Sequence, residues 1–290
     1  MGTPDPSRAY VAPAWPLRRT AGALARSCHP GPVVAVTAIA GALGAGVGLD
    51  ALRCALLVAA VLSGQLSVGW CNDAFDARRD AAAGRRGKPV ADGSVNRRTV
   101  WTAAFTAALL CVPFSLACGP LAGATHLTAV AAAWAYNLKL KATVLSWLPY
   151  AIGFGTLPAV AALTLPGRPG PTWWAVTAGA LLGLAAHLGD VLPDIEDDLC
   201  HGVTGLPHRL GATTTALLLP VPLVAASAVL ALGPPGPPGP WGAATLAVAA
   251  PAALAGLLFA RTWRKAPLAA AAVVAAAAVT LLLVRGTAPV

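Results

Sequence analysis

The feature that most restricts this chain is a succession of apolar runs, each about as long as a bilayer is thick. They lie at 31–49, 52–70, 100–118, 120–137, 144–165, 173–189, 211–233, 241–260 and 267–284. A helix needs about 20 mainly apolar residues to cross the hydrocarbon core. Only 11% of the residues are charged, against about 25% in an ordinary soluble domain. The expected fold is all-α: a polytopic membrane protein with nine transmembrane helices over residues 31–285. Pro113 and the "CGP" at 118–120 both interrupt the 100–137 region, so it can be divided in more than one way. The abundance of Gly, Ala and Pro suits membrane helices, where small residues let backbones approach closely.

The first 30 residues lack a short apolar core ahead of a small-residue cleavage site, so they read as a cytosolic, mobile arm rather than a signal peptide. Six scattered cysteines form no CxxC pair, which argues against a zinc site. The net charge of +9 would suit nucleic acid in a soluble protein. In a chain of mean hydropathy +0.69 it instead sets orientation against an anionic leaflet.

With the amino terminus inside, the inner segments are 1–30, 71–99, 138–143, 190–210 and 261–266. Nearly all the Arg and Lys fall there, and the outer side keeps only Arg53, Arg168 and Arg285. That is the asymmetry the positive-inside rule requires. The outer connections "LPGRPGP" and "LGPPGPPGP" are nearly uncharged. The expected location is a cell membrane, bacterial by expectation, with the active loops on the cytoplasmic side.

The acidic residues gather in two inner segments. Asn72, Asp76 and Asp80 are spaced i, i+4, i+8, and Asp190, Asp194 and Asp198 repeat the spacing. Residues four apart share a helix face, so each set forms a row of oxygen ligands. Carboxylates with an Asn carbonyl suit a hard cation such as Mg²⁺. Mg²⁺ takes few protein ligands and fills its sphere with water and phosphate oxygens, so a diphosphate is the natural further party. The basic residues nearby, Arg78, Arg79, Arg85, Arg86, Lys88, Lys139, Lys141 and Arg209, are candidates to hold the remaining oxygens. A single DxxxD on a helix is usually a solvated face; two rows at the ends of membrane helices are functional candidates. Pro193 inside the second row is expected to kink it.

At this point the chain resembles the UbiA-type intramembrane prenyltransferase superfamily. That family's N-D-x-x-D-x-x-x-D reads here "NDAFDARRD" (72–80), and its D-x-x-x-D, extended by a further acid, reads "DVLPDIEDD" (190–198). Between them "GRRGKPVADGSV" (84–95) is similar to the basic R-P-L-x-S-G segment, with Lys88 in place of Arg. "YNLKLKATVLSW" (136–147) is similar to the Tyr-and-Lys loop, and "GVTGLPHRLG" (202–211) to the segment after the second acidic motif.

The resemblance implies a ring of nine helices around a central cavity and two Mg²⁺ ions bridging an isoprenoid diphosphate. It implies Asn72 and Asp76, facing Asp190 and Asp194, as metal ligands. Asp76, Asp194 and Lys141 are then the expected catalytic residues. Arg78, Arg85, Arg86, Lys88, Tyr136, Lys139 and Arg209 are expected to bind substrate, with Asp73, Asp80 and Asp198 orienting neighbours. The Tyr–Lys spacing departs from the commonest Y-x-x-x-K, which leaves the phosphate-holding lysine open between Lys139 and Lys141. His187, His201 and His208 flank the second motif but are not needed by Mg²⁺. Trp134, Tyr136, Trp147 and Tyr150 are candidates to line the cavity around the cation, and interfacial anchoring serves at least as well for the two tryptophans.

The expected reaction is transfer of a prenyl group to an aromatic or quinone-precursor acceptor. Cyclisation of the same allyl cation without an acceptor is the alternative. A cation transporter would spread polar groups through the bilayer depth, whereas here they gather at one side.

Overall fold

The computed structural model describes residues 17–82, 84, 87–167, 170–200, 202–259, 262–263 and 266–285; among these residues there is no strand. The helices are α1 (Leu17–Ser27), α2 (Pro30–Gly46), α3 (Ala51–Ala82), α4 (Arg97–Ala117), α5 (Pro120–Leu138), α6 (Leu148–Thr164), α7 (Trp173–Val191), α8 (Ile195–Cys200), α9 (Leu206–Leu218), α10 (Pro220–Leu232), α11 (Pro240–Leu258) and α12 (Ala266–Arg285). Each apolar run of the sequence coincides with a helix, or with the α9–α10 pair. The protein is therefore an all-helical, polytopic membrane protein. By length and hydropathy four helices are able to cross a membrane, and two bent pairs bring the number to six. A count of nine crossings thus exceeds what length and composition alone establish.

Helix starts follow local chemistry. Pro occupies the first turn of α2, α5, α6, α9, α10 and α11, where its missing N–H costs no hydrogen bond. Asn96 caps α4 by accepting from the Arg98 N–H at 2.8 Å. Pro113 stays inside α4, and the break falls at Gly119, whose φ of 116° ends one helix and lets Pro120 begin the next. Gly211, at φ 79° and ψ 162°, kinks α9, and α9 meets α10 at 50°.

Successive helices pack side by side, and α12 returns against α2 and α7, closing the ring. Their inward faces share one apolar core that includes Leu43, Leu57, Val160, Ala178, Leu230 and Val274. Leu57 lies about five helical turns before Asp76 on α3, and on α7 the core runs up to Leu188, two residues before Asp190. The 32 residues of α3 make a rod of about 48 Å, longer than the ~30 Å hydrocarbon core. Its last turns, which carry the first acidic motif, therefore reach past the apolar slab.

The segment expected as a mobile arm contains α1. Ala23 of α1 is fully buried, and the Trp70 indole donates to the Leu24 carbonyl at 2.9 Å. The α1–α2 junction turns at His29, in a left-handed conformation. It lies so close to α3 that a Cβ on Gly69 would sit 2.1 Å from the Cys28 carbonyl oxygen. Small size at Gly69, not sequence hydrophobicity, seats the arm.

Candidate active site

Along the last turns of α3 the acidic side chains point inward. Asp73, Asp76 and Asp80 are buried, while Phe75 and Arg78 face outward. Asp76 is the hub. Its carboxylate is ion-paired with the Lys141 ammonium, and Arg79 Nη2 donates to it at 2.9 Å. Asn72 Nδ2 lies 3.4 Å from Asp76 and 3.2 Å from Asn137 Oδ1, and Asn137 in turn donates to the Val68 carbonyl at 2.9 Å. So α5 fixes Asn72 through Asn137, which lies inside the 136–147 segment but was given no role of its own there. Its sequence signal was an amide beside Tyr136 at the end of an apolar run.

Lys141 reaches Asp76 because α5 stops at Leu138 and a 3₁₀ turn, Leu140–Ala142, swings the chain back. Burial pulls the Lys141 ammonium below the ordinary lysine value, and the neighbouring Asp76 carboxylate offsets part of that. Its Nζ also stands 5.3 Å from the Phe75 ring centre, a cation–π contact. Lys139, two residues earlier, is exposed. The geometry thus separates the two lysines that spacing left open.

Around this hub the other acids hold bases. Lys88 Nζ is 3.8 Å from Asp73 and 3.1 Å from His29 Nε2. An ammonium only donates, so the ring accepts there. Arg79 is also 3.8 Å from Asp80. Asp198 lies 3.2 Å from His208 Nε2.

The second acidic row is broken in the way Pro193 foretells. The first helix ends at Val191, a 3₁₀ turn covers Leu192–Asp194, and α8 follows. Asp190 therefore sits on α7, Asp194 on the turn and Asp198 on α8. The Tyr150 hydroxyl donates to Asp190 Oδ2 at 2.6 Å. Tyr136 stands edge-on to Tyr150, ring centres 5.3 Å apart, and both rings contact His187. Close α6–α7 packing makes this possible: a Cβ on Gly183 would lie 2.2 Å from the Tyr150 carbonyl oxygen. His187 Nε2 and Ser146 Oγ are 3.0 Å apart, and Ser146 accepts from the Leu206 N–H at 2.9 Å. Arg209 donates to the Thr204 carbonyl at 2.9 Å, and Thr204 to the Ala142 carbonyl, which docks the 202–209 segment beside Lys141.

Two residues tie the acidic segments into one neighbourhood. Tyr136 packs against Tyr150, whose hydroxyl donates to Asp190, and the adjoining Asn137 bonds Asn72 of the first acidic motif. Among the described residues no three His, Cys, Asp or Glu converge on one point. The oxygens of Asn72, Asp76, Asp190 and Asp194 are hard donors, and Asn72 and Asp76 stand side by side at 3.4 Å. That fits Mg²⁺, which leaves positions to water and phosphate.

Arg78 does not join the cluster. It lies two residues beyond Asp76, on the far side of the helix, and lines a separate surface groove. Arg79, one residue further, is the arginine at the hub. Arg85 and Arg86 lie outside the described residues.

The chain matches the UbiA prenyltransferase family over residues 33–284. It belongs to that family. No curated protein matches it. Among solved structures, a UbiA homologue from Archaeoglobus fulgidus bound to GPP and Mg²⁺ is 14% identical, with a TM-score of 0.69 over 91% of this chain and 99% of that one. A UbiA homologue from Aeropyrum pernix K1 is 18% identical, with a TM-score of 0.66 over 92% of this chain and 97% of that one. A digeranylgeranylglyceryl phosphate synthase structure is 16% identical, with a TM-score of 0.65 over 92% of this chain and 98% of that one. At such identities the likeness is one of fold, and the UbiA fold covers almost the whole chain.

Proposed function

We propose that this UbiA-family protein is a Mg²⁺-dependent prenyltransferase that ionises an isoprenoid diphosphate and passes the prenyl group to an aromatic or quinone-precursor acceptor. The observation that carries the reading is the buried Asp76 carboxylate, held between Lys141 and Arg79 in the same neighbourhood as Asp190. A greasy chain has no structural need for such a concentration of charge. An allylic diphosphate needs it, because its C–O bond breaks only when the leaving group's charge is met. Nine crossings, with the amino terminus and the charged loops in the cytoplasm, belong to the same proposal.

Asn72 and Asp76 on one side, and Asp190 and Asp194 on the other, are the residues assigned to hold two Mg²⁺ ions. When bound, Mg²⁺ supplies neutralisation of the developing charge on the diphosphate oxygens. Lys141, Arg79 and Lys88 take the oxygens left over. Asp73 holds Lys88 and Asp80 holds Arg79 in place, while Asp198 pairs with His208. Tyr150 orients Asp190. Arg209 and, outside the described residues, Arg85 and Arg86 stay assigned to the loops that receive the headgroup, whereas the exposed Lys139 is left out of the site. As the C–O bond breaks, its electron pair leaves with diphosphate, and the allyl cation faces the rings of Tyr136 and Tyr150, which favour positive charge. The acceptor carbon supplies the electron pair of the new C–C bond and then loses its proton. Apolar walls keep water from the cation.

The test incubates membranes containing the protein with geranyl, farnesyl and geranylgeranyl diphosphates, with and without aromatic acceptors, in Mg²⁺ or EDTA. Prenylated acceptor and released diphosphate, both dependent on Mg²⁺, are expected. A cyclic hydrocarbon formed without acceptor reassigns the reaction to cyclisation. No diphosphate release from any donor rejects the enzyme reading.

A further inference from the structure

Arg78 was expected at the substrate diphosphate, yet it faces away from Asp76. It lines a groove of about 420 Å³ formed by the end of α3, the 90–96 segment and the start of α4. Among the described residues, the charged ones lining that groove are Arg78 and Arg97, and none that line it is acidic. Arg97 is preset there, because its Nε donates to the Ala74 carbonyl at 2.7 Å. Two guanidiniums on one concave surface without a carboxylate suit an anion with several oxygens, above all a phosphate.

What lies beneath the groove decides which phosphate. Arg97, Trp101, Phe105 and Leu109 are four residues apart in turn, so they form a row down one face of α4. Trp101 is half-buried, while Phe105 is 59% and Leu109 73% exposed. The Trp101 and Phe105 rings stack at 5.6 Å, and Phe105 lies 5.5 Å from Trp134 of α5. The Trp134 indole is anchored by donating to Ser67 Oγ at 3.2 Å. From the charged end inward the surface therefore reads guanidinium, aromatic platform, exposed aliphatic. That is the order of headgroup, interface and acyl chain in a phospholipid.

We infer that the Arg78–Arg97 groove is a binding site for the phosphate of an anionic phospholipid, whose acyl chain lies along Trp101, Phe105 and Leu109. The site is separate from the Asp76 cluster, so it stands whether or not the proposed reaction is correct.

The test measures lipid binding to the detergent-solubilised full chain by native mass spectrometry. The lipids are phosphatidylglycerol and phosphatidylcholine, with inorganic phosphate as competitor. Phosphatidylglycerol is expected to bind more tightly than phosphatidylcholine and to resist displacement by millimolar inorganic phosphate. Arg78→Gln is expected to weaken phosphatidylglycerol binding about fivefold, the value of about 1 kcal/mol per basic residue near an anionic lipid surface. Lys139→Gln, an exposed cation at the same end but outside the groove, is expected to leave it unchanged. Arg78→Gln is the deciding variant because Arg97 also supports the backbone of α3. Equal binding of the two lipids, an Arg78→Gln protein that binds normally, or equal weakening by Lys139→Gln would overturn the inference. Ready displacement by inorganic phosphate would make this a free-anion site and overturn the lipid assignment.

Discussion

The Lys141 ammonium is ion-paired with the Asp76 carboxylate across 65 positions of sequence, both side chains almost wholly enclosed. The pair joins the end of α3 to the turn after α5 and places a cation beside the first acidic motif. Removing one member of a buried pair leaves the other uncompensated, at a cost of about 3–5 kcal/mol. Asp76→Asn keeps the shape and removes the charge. It should lower turnover by about a hundredfold or more, the scale of losing one preorganised electrostatic group. Adding Lys141→Met should recover thermal stability relative to Asp76→Asn alone without recovering turnover. Thermal unfolding and initial rates on the same preparations check both halves. A double variant that regains activity would show that the pair serves only the fold.

The lysines should separate kinetically. Lys141→Ala should raise KM for the diphosphate and lower kcat, while Lys139→Ala should change kcat/KM less than about threefold, as expected of an exposed charge. Steady-state kinetics over a range of donor concentrations reads the difference.

Lys141 also predicts a pH effect. Its folded pKa lies below the unfolded value because burial disfavours the ammonium. Between those two values the unfolded chain binds more protons, so this group's contribution makes stability rise with pH in that window. On the proposed role of Lys141 at the diphosphate, activity should do the opposite, falling as its ammonium is lost at a pH below 10.5. Lys141→Arg, whose guanidinium stays protonated, should shift the alkaline limb of the rate profile upward. An unchanged limb would remove Lys141 from the ionised machinery.

Much of this was legible beforehand, for reasons that differ by residue. The helices announced themselves because a bilayer demands about 20 apolar residues. The 3₁₀ break at Leu192–Asp194 followed from Pro193. Helix phase alone separates Arg79, three residues after Asp76, from Arg78, two residues after it, and that distinction was available in the motif itself. Other features depend on the tertiary fold. The short, charged α1 has no spanning signal; a close approach at Gly69 and the Trp70–Leu24 hydrogen bond seat it. Trp70 closes an apolar run, where tryptophans commonly anchor at the interface, yet its indole is spent on that carbonyl. Lys141 and Lys139 differ only through a 3₁₀ turn that no periodicity predicts.

Tyr150→Phe removes the hydroxyl that donates to Asp190. Outer partners of metal ligands are typically worth about 10–100-fold in metal affinity. The variant should therefore need at least about tenfold more Mg²⁺ for half-maximal rate while its maximal rate falls less. A Mg²⁺ titration of the rate checks this, and an unshifted midpoint would mean that Asp190 is oriented by other contacts.

Close packing should matter as much as charge. In Gly183→Ala the new methyl would meet the Tyr150 carbonyl oxygen at 2.2 Å. Overpacking of this kind costs about 1–3 kcal/mol. It should push α6 from α7 and lower both thermal stability and Mg²⁺ affinity, because Tyr150 and Asp190 sit on those two helices. Parallel unfolding and Mg²⁺-titration measurements would show the coupling; a stability loss with normal Mg²⁺ affinity would separate the two.

The central claim is that both acidic segments share one diphosphate through divalent ions. Crystals grown with a non-reactive geranyl thiolodiphosphate and Mn²⁺, examined at the manganese absorption edge, test it most directly. The account predicts anomalous peaks within about 2.3 Å of Asp76 and of an Asp190 or Asp194 oxygen, both bridged by the same diphosphate. A diphosphate bound without manganese, or manganese touching only one of the two segments, would contradict it.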